Sequence, residues 1–316
     1  MASIRQIRSR LRSISSTKQI MRAMQLVSAS KLKRSQGRLM QAREVLQFLD
    51  GLLERSLSAA EAAASRKKAK ISLTAAHPLC RVSQDGPTLL VLFTSDAGLC
   101  GAYNTNLIAM AEAYLRRDGR RPTRIIYIGK KGHRYFTKRG FAAADAYLDL
   151  AGRPNIAKAE AIGKALMARF LSGECASVQL LYSRYVSSMS SKPAVLQWLP
   201  IALGDGGHGT GDMGASKPKA HVPRPASQKA AEEYIFEPSP RQVFEDLLPR
   251  WVVAKFQLVM LEAFTSEHSA RMIAMKNATD NAEEILRSLT MQRNKIRQAS
   301  ITKEISEIVG TVEALK

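Results

Sequence analysis

No aspartate or glutamate occurs in the first 43 residues, and no phenylalanine, tyrosine or tryptophan in the first 47. The missing acids exclude an ordinary solvated coiled-coil face, which balances Lys and Arg with Glu. The missing aromatics argue against single-stranded nucleic acid, which needs stacking platforms between the cations. Cysteine is scarce: Cys80, Cys100 and Cys175 are odd in number and lack metal-type spacing. They read as free thiols in a reducing compartment, not as a disulfide framework. No apolar run reaches the 18 residues of a membrane span. The opening MASIRQIRSRLRS has no uninterrupted apolar stretch, so it does not read as a secretory signal. It is Arg- and Ser-rich like a transit peptide, but its heptad register runs far beyond transit length. His77, His133, His208, His221 and His268 are scattered without ligand spacing, so no metal site and no histidine-based catalysis is expected. Proline and glycine are both missing between Trp251 and Val309, which leaves a long helix unbroken.

What is present is positive charge. The 316 residues carry 48 Lys+Arg against 27 Asp+Glu, a formal net charge of +21. Eleven of the cations fall in the first 43 residues: Arg5, Arg8, Arg10, Arg12, Lys18, Arg22, Lys31, Lys33, Arg34, Arg38 and Arg43. Something acidic should meet them: nucleic acid, anionic lipid or an acidic protein cavity. The 45% hydrophobic content is enough for a real core.

Steps of three and four from Ile4 pass through Ile7, Leu11, Ile14, Lys18, Met21, Gln25, Ser28, Leu32, Ser35, Leu39, Ala42, Leu46, Leu49 and Leu53. This mostly apolar seam predicts a helix to about residue 56, roughly 80 Å long. Its polar members Lys18, Gln25 and Ser28 fall together, so the seam is weak there. Met275, Ala278, Ala282, Ile285, Leu289, Gln292, Ile296 and Ala299 repeat the pattern, before the register slips to Ile301, Ile305, Ile308, Val312 and Leu315. Two such seams are most economically satisfied by packing on each other as an antiparallel pair.

Between them the chain alternates strand and helix: strands at Thr88–Thr94, Arg124–Ile128 and Val178–Tyr185, helices at Asn104–Arg117 and Ile156–Leu171. The fold class is therefore α/β with long helices: an N-/C-terminal antiparallel coiled coil plus a Rossmann-like globular domain. The expected domains are 1–60, 61–235 with a flexible Gly/Pro-rich loop at 204–232, and 236–316; the connector from Ser65 to Pro87 carries the basic run Arg66, Lys67, Lys68 and Lys70. The segment SDAGLCGAYN (95–104) stands where a Rossmann phosphate site would, but it is neither GxGxxG nor a Walker sequence. Gly98 and Gly101 read better as a tight turn, with Asp96 or Asn104 capping.

Three segments carry a resemblance. Ile4–Gln36 resembles the N-terminal helix of F-type ATP synthase gamma subunits, Ser266–Gly310 their C-terminal helix, and SDAGLCGAYN the family's SDRGLCGAYN-type segment. The resemblance implies a non-catalytic central-stalk rotor without cofactors. Its partners would be the alpha and beta subunits of the catalytic hexamer, epsilon and the membrane c-ring, and its place the cytoplasmic face of a bacterial inner membrane. It assigns hexamer contacts to Met24, Arg271, Arg297, Gln298, Thr302 and Glu304, and c-ring or epsilon contacts to Tyr234, Phe236 and Glu237. Ala97 departs from the family's arginine, so any salt bridge of that arginine is missing here. No paired-cysteine regulatory insert is present. Two readings compete: a basic coiled coil on nucleic acid or lipid, whose binding would weaken steeply with salt, and a Rossmann enzyme, whose phosphate fingerprint is missing.

Overall fold

The structure is a computed structural model that describes residues 4–66, 77–83, 86–117, 122–150, 155–201, 234 and 236–314. The loop expected at 204–232 and the basic residues Lys67, Lys68 and Lys70 lie outside the described residues. The elements run α1 (Ile4–Arg66), a short 3-10 turn (Pro78–Cys80), β1 (Thr88–Phe93), α2 (Tyr103–Arg117), β2 (Thr123–Ile128), α3 (Lys130–Thr137), β3 (Ala143–Tyr147), α4 (Ile156–Leu171), β4 (Ser177–Ser187), β5 (Ser190–Leu199) and α5 (Pro240–Ala314).

The sheet has the order β3-β2-β1-β4-β5. β1 lies between β2 and β4 and is parallel to both, β3 is parallel to β2, and β5 returns antiparallel along β4. All six residues of β1 (TLLVLF) are buried, as befits a central parallel strand covered on both faces. The mostly parallel Rossmann-like arrangement holds. β3, β5 and α3 go beyond the expected elements. β3 (AADAY) is a sheet-edge strand with little apolar signal. β5 carries Pro193, which is tolerable because β5 is also an edge. α3 (KKGHRYFT) is only eight residues long and contains a glycine.

By packing, the chain forms two units. One comprises Leu32–Gly98 and Ala102–Glu267, so it joins the sheet to the later part of α1 and the first part of α5. The cut thus falls inside both long helices. These helix segments do more than pair with each other: Leu53 of α1 and Phe244, Leu248, Trp251, Val252, Phe256, Val259, Met260, Ala263 and Phe264 of α5 share one core with Val91, Phe93 and Leu180 of the sheet. Phe256 meets Trp198 and Phe93 at ring-centroid distances of 5.3 and 6.0 Å. A β-carbon on Gly163 of α4 would lie 3.3 Å from Phe256, so the glycine admits the ring. The helices run antiparallel here: Arg43 Nη2 lies 2.6 Å from Glu262 Oε1, and Trp251 Nε1 donates to Asp50 Oδ1 at 2.5 Å.

The other unit comprises residues 1–31, Leu99–Gly101 and His268–Lys316. On α1, Ile7 and Ser28 are buried, with Leu11, Ile14, Lys18, Met21 and Gln25 half-buried between them, so the seam reads as expected. The weak point at Lys18 has a partner, Glu283 Oε2 of α5 at 3.1 Å. Glu283 is held below the usual carboxylate range first by that hydrogen bond. On α5 the seam needs correction. Met275, Thr279 and Ala282 are buried and Leu286, Leu289, Thr290, Arg293 and Ile296 half-buried, whereas Ile285, Gln292 and Ala299 are exposed. A straight helix advances 3.6 residues per turn, so its inner face drifts off a strict 3.5-residue repeat.

Backbone constraints make a sharp test. Gly129 has φ +100°, and a β-carbon there would sit 2.0 Å from the Thr94 carbonyl oxygen; Gly140 has φ +84° in open space. Gly129→Ala should cost more than about 4 kcal/mol, leaving little folded protein, while Gly140→Ala should cost only about 1–2 kcal/mol. Urea unfolding followed by circular dichroism reads both.

Burial pushes the thiols of Cys80 and Cys175 up to about 11. Their folded values lie above the unfolded one, so the stability they contribute is complete below the unfolded value and lost as pH rises through about 11. At pH 8 a disulfide reagent should modify both slowly in the folded chain and rapidly in denaturant.

Candidate partner-contact surfaces

The loop after β1 is filled by the chain itself. Ser95 N donates to Asn104 Oδ1 at 3.0 Å, Asn104 Nδ2 donates to Ser95 Oγ at 2.8 Å, and Ser95 Oγ donates to the Ala97 carbonyl at 2.6 Å. Leu99 (φ 61°) and Gly101 (φ 57°) make the left-handed turns that lead into α2. Asp96 caps a different helix from the one that follows it in sequence: its Oδ1 accepts Lys130 N of α3 at 3.1 Å and Asp149 N at 3.3 Å. Lys130 Nζ in turn pairs with the Asp149 carboxylate, and that hydrogen bond raises the Lys130 ammonium above its ordinary value. A carboxylate of the chain thus occupies a helix N-terminus that would otherwise attract an anion. Capping is the role that these hydrogen bonds give the segment.

The residues assigned to hexamer contact lie on the two long helices. Met24 is half-buried on α1. Arg271 differs from the rest in being buried, at 8% exposure, with Nη1 3.5 Å from His268 Nδ1. Arg297, Gln298, Thr302 and Glu304 are exposed near the end of α5. There the Thr302 hydroxyl donates to the Gln298 carbonyl at 3.0 Å, and Ser300 Oγ donates to Glu304 Oε1 at 3.3 Å. Every residue from Ile301 to Thr311 is exposed. Ile301, Ile305 and Ile308 therefore form an exposed apolar stripe with the one-face spacing of a helix and nothing of the described residues upon it.

Tyr234, Phe236 and Glu237 form the second assigned group. Their two rings stack with centroids 6.4 Å apart, and the Arg55 guanidinium sits 4.6 Å above Tyr234. Glu237 is exposed. Sequence reasoning omitted Arg55, and no local pattern marks it; only tertiary structure brings α1 to Tyr234.

The fold is thus a Rossmann-type sheet whose first loop is filled by its own hydrogen bonds, joined to long helices of which α5 ends in a fully exposed stretch. The family model described as ATP synthase matches residues 3–315. The ATP synthase gamma chain of Symbiobacterium thermophilum is 39% identical over 98% of this chain and 97% of its own length. Those of Moorella thermoacetica and Anaeromyxobacter sp. (strain Fw109-5) are 35% and 38% identical, with full coverage of both chains. The chain belongs to the ATP synthase gamma chain family. In fold it is similar to a chain of the central stalk and c-ring structure of the Tetrahymena thermophila mitochondrial ATP synthase, with a TM-score of 0.55, 20% identity and coverage of 82% and 99%. A chain of the Euglena gracilis mitochondrial enzyme gives 0.51, at 19% identity with coverage of 91% and 95%.

If Asp96 is a cap, Asp96→Ala should lower stability by about 1–2 kcal/mol, and Asp96→Asn, which keeps an acceptor oxygen, by less. Urea unfolding of the two variants checks the order.

Proposed function

We propose that the chain is the central-stalk rotor subunit of an F-type ATP synthase and catalyses nothing itself. The observation that carries this is full-length similarity to gamma chains, 39% identical to the Symbiobacterium thermophilum protein from end to end. In this reading, proton flow turns the membrane c-ring, the ring turns the chain, and asymmetric helices press each beta subunit in turn through its conformations. Coupling of this kind needs differential contact between the rotor and each state of the catalytic subunit, not a reactive group on the rotor.

Met24, Arg297, Gln298, Thr302 and Glu304 are proposed to meet the alpha and beta subunits. The exposed stripe Ile301, Ile305 and Ile308 supplies apolar area beside them. Arg271, being buried, would shape the helix pairing unless it turns outward on assembly. Tyr234, Phe236 and Glu237 are proposed to face the c-ring and epsilon. The chain would sit at the cytoplasmic face of a bacterial inner membrane without spanning it; no described helix is long and apolar enough to cross one.

Affinity purification from its own membranes tests the reading. The full chain should bring down a large ATP-hydrolysing complex, and a form truncated after Leu289 should fail to assemble or should uncouple hydrolysis from proton movement. Recovery of the chain alone, or with nucleic acid that dissociates in salt, would overturn the proposal. Combined Arg297→Ala and Thr302→Ala should lower ATP synthesis several-fold in membranes. The isolated chain's stability should stay within about 0.5 kcal/mol, because both side chains are exposed.

A further inference from the structure

The turn that closes α3 carries a charge that nothing above explains. Residues 130–144 (KKGHRYFTKRGFAAA) hold five Lys+Arg and no acid. Seven residues in succession, Thr137–Ala143, are exposed. Lys130 is committed to Asp149. The Arg139 guanidinium lies 3.7 Å over the Tyr135 ring, whose hydroxyl donates to Glu112 at 2.7 Å, and Glu112 also faces the exposed Arg116 at 3.7 Å. Arg134 and Lys138 are exposed and form no ion pair among the described residues.

One aromatic stands among these cations. Phe141 is 41% exposed, yet its inner edge rests on Phe136 at 5.6 Å, and Phe136 is fully buried against Tyr127 at 6.2 Å. The ring is therefore held rigidly with part of its surface outward. An anchored, half-exposed ring on an exposed turn, with long exposed cationic side chains close to it in sequence, suits a headgroup layer. There the cations meet phosphates while their stems and the ring lie at the apolar boundary. A purely acidic protein surface would match the cations but leave the exposed face of Phe141 without an apolar partner.

We propose that this tip, Arg134, Lys138, Arg139 and Phe141, docks reversibly on the headgroups of an anionic lipid bilayer. The inference rests on the reading that the chain works beside a membrane. Each cation near an anionic surface strengthens binding about fivefold, so three together account for about a hundredfold. The contact should weaken with salt.

The test is flotation of the full chain with phosphatidylcholine vesicles containing about one-third phosphatidylglycerol, an anionic surface of the relevant kind. The variant R134A/K138A/R139A should bind about a hundredfold more weakly. The charge-matched variant R8A/R10A/R12A, altered in the basic α1, should lose less than about tenfold. A tryptophan introduced by F141W should shift to shorter emission wavelength with anionic vesicles and not with pure phosphatidylcholine; Trp198 and Trp251 are buried and form a steady background. Equal losses in the two triple variants, or bound protein without an emission shift, would overturn the proposal. So would binding that polyglutamate competes away but vesicle charge does not affect, which would identify an acidic protein as the partner. Hexamer assembly and soluble ATPase activity, measured on R134A/K138A/R139A and on F141W, should be unchanged. Failure of lipid docking alone would thus leave the rotor reading standing, while failure of the unaltered chain to assemble would strike at that reading.

Discussion

Phe256 stands where three layers meet: Phe93 and Trp198 of the sheet touch its ring, and Gly163 of α4 leaves room for it. Further along α5 in the same unit, residues Val259–Glu267 are buried without a break. A helix buried all round is a core element, not a surface one. Replacing Phe256 by a small residue would remove contacts from sheet and helices together, and comparable core truncations cost about 3–5 kcal/mol. The Trp198 indole donates to the Val252 carbonyl at 3.0 Å, and Ser266 Oγ donates to the Ser183 carbonyl at 2.9 Å, so polar bonds fix the position that apolar packing favours.

This has a mechanical consequence for a rotor. Torque applied to the sheet-bearing unit must enter the helices without slippage, and the helices enter through its core. Two polar links between α1 and α5 in that unit resist sliding. Arg43–Glu262 places a charge-assisted bond at 2.6 Å against a carboxylate side chain only 9% exposed, and Asp50–Trp251 repeats the device further along. Breaking either would leave a buried polar group unsatisfied, so the links specify register more than they add net stability. In the other unit, the buried positions mix large side chains, Ile7 and Met275, with small or polar ones such as Ser28 and Thr279.

Much of this was legible in sequence because periodicity reports burial directly. The α1 seam from Ile7 to Leu53 and the strand TLLVLF follow from pattern and residue chemistry alone. The unread parts have physical causes. β3 and β5 are edges whose signal is diluted by Asp145 and Pro193. The place of Ile285 depends on the small mismatch between 3.6 and 3.5 residues per turn, which accumulates along α5. Asp96 caps α3 across 34 residues of chain, and Arg55 covers Tyr234 from a remote helix; neither pairing leaves a local trace. The assigned contact residues came from family resemblance, and Arg271 shows how such an assignment can land on a buried side chain.

The claim that the chain is a rotor is tested most directly by watching it turn. Val186 is 54% exposed in the sheet-bearing unit, and Val186→Cys would offer an accessible thiol against the suppressed Cys80 and Cys175. With the purified complex fixed through its hexamer and a bead bound at position 186, the account predicts unidirectional, stepwise rotation driven by ATP. A complex that hydrolyses ATP at full rate while the bead stays still would contradict it.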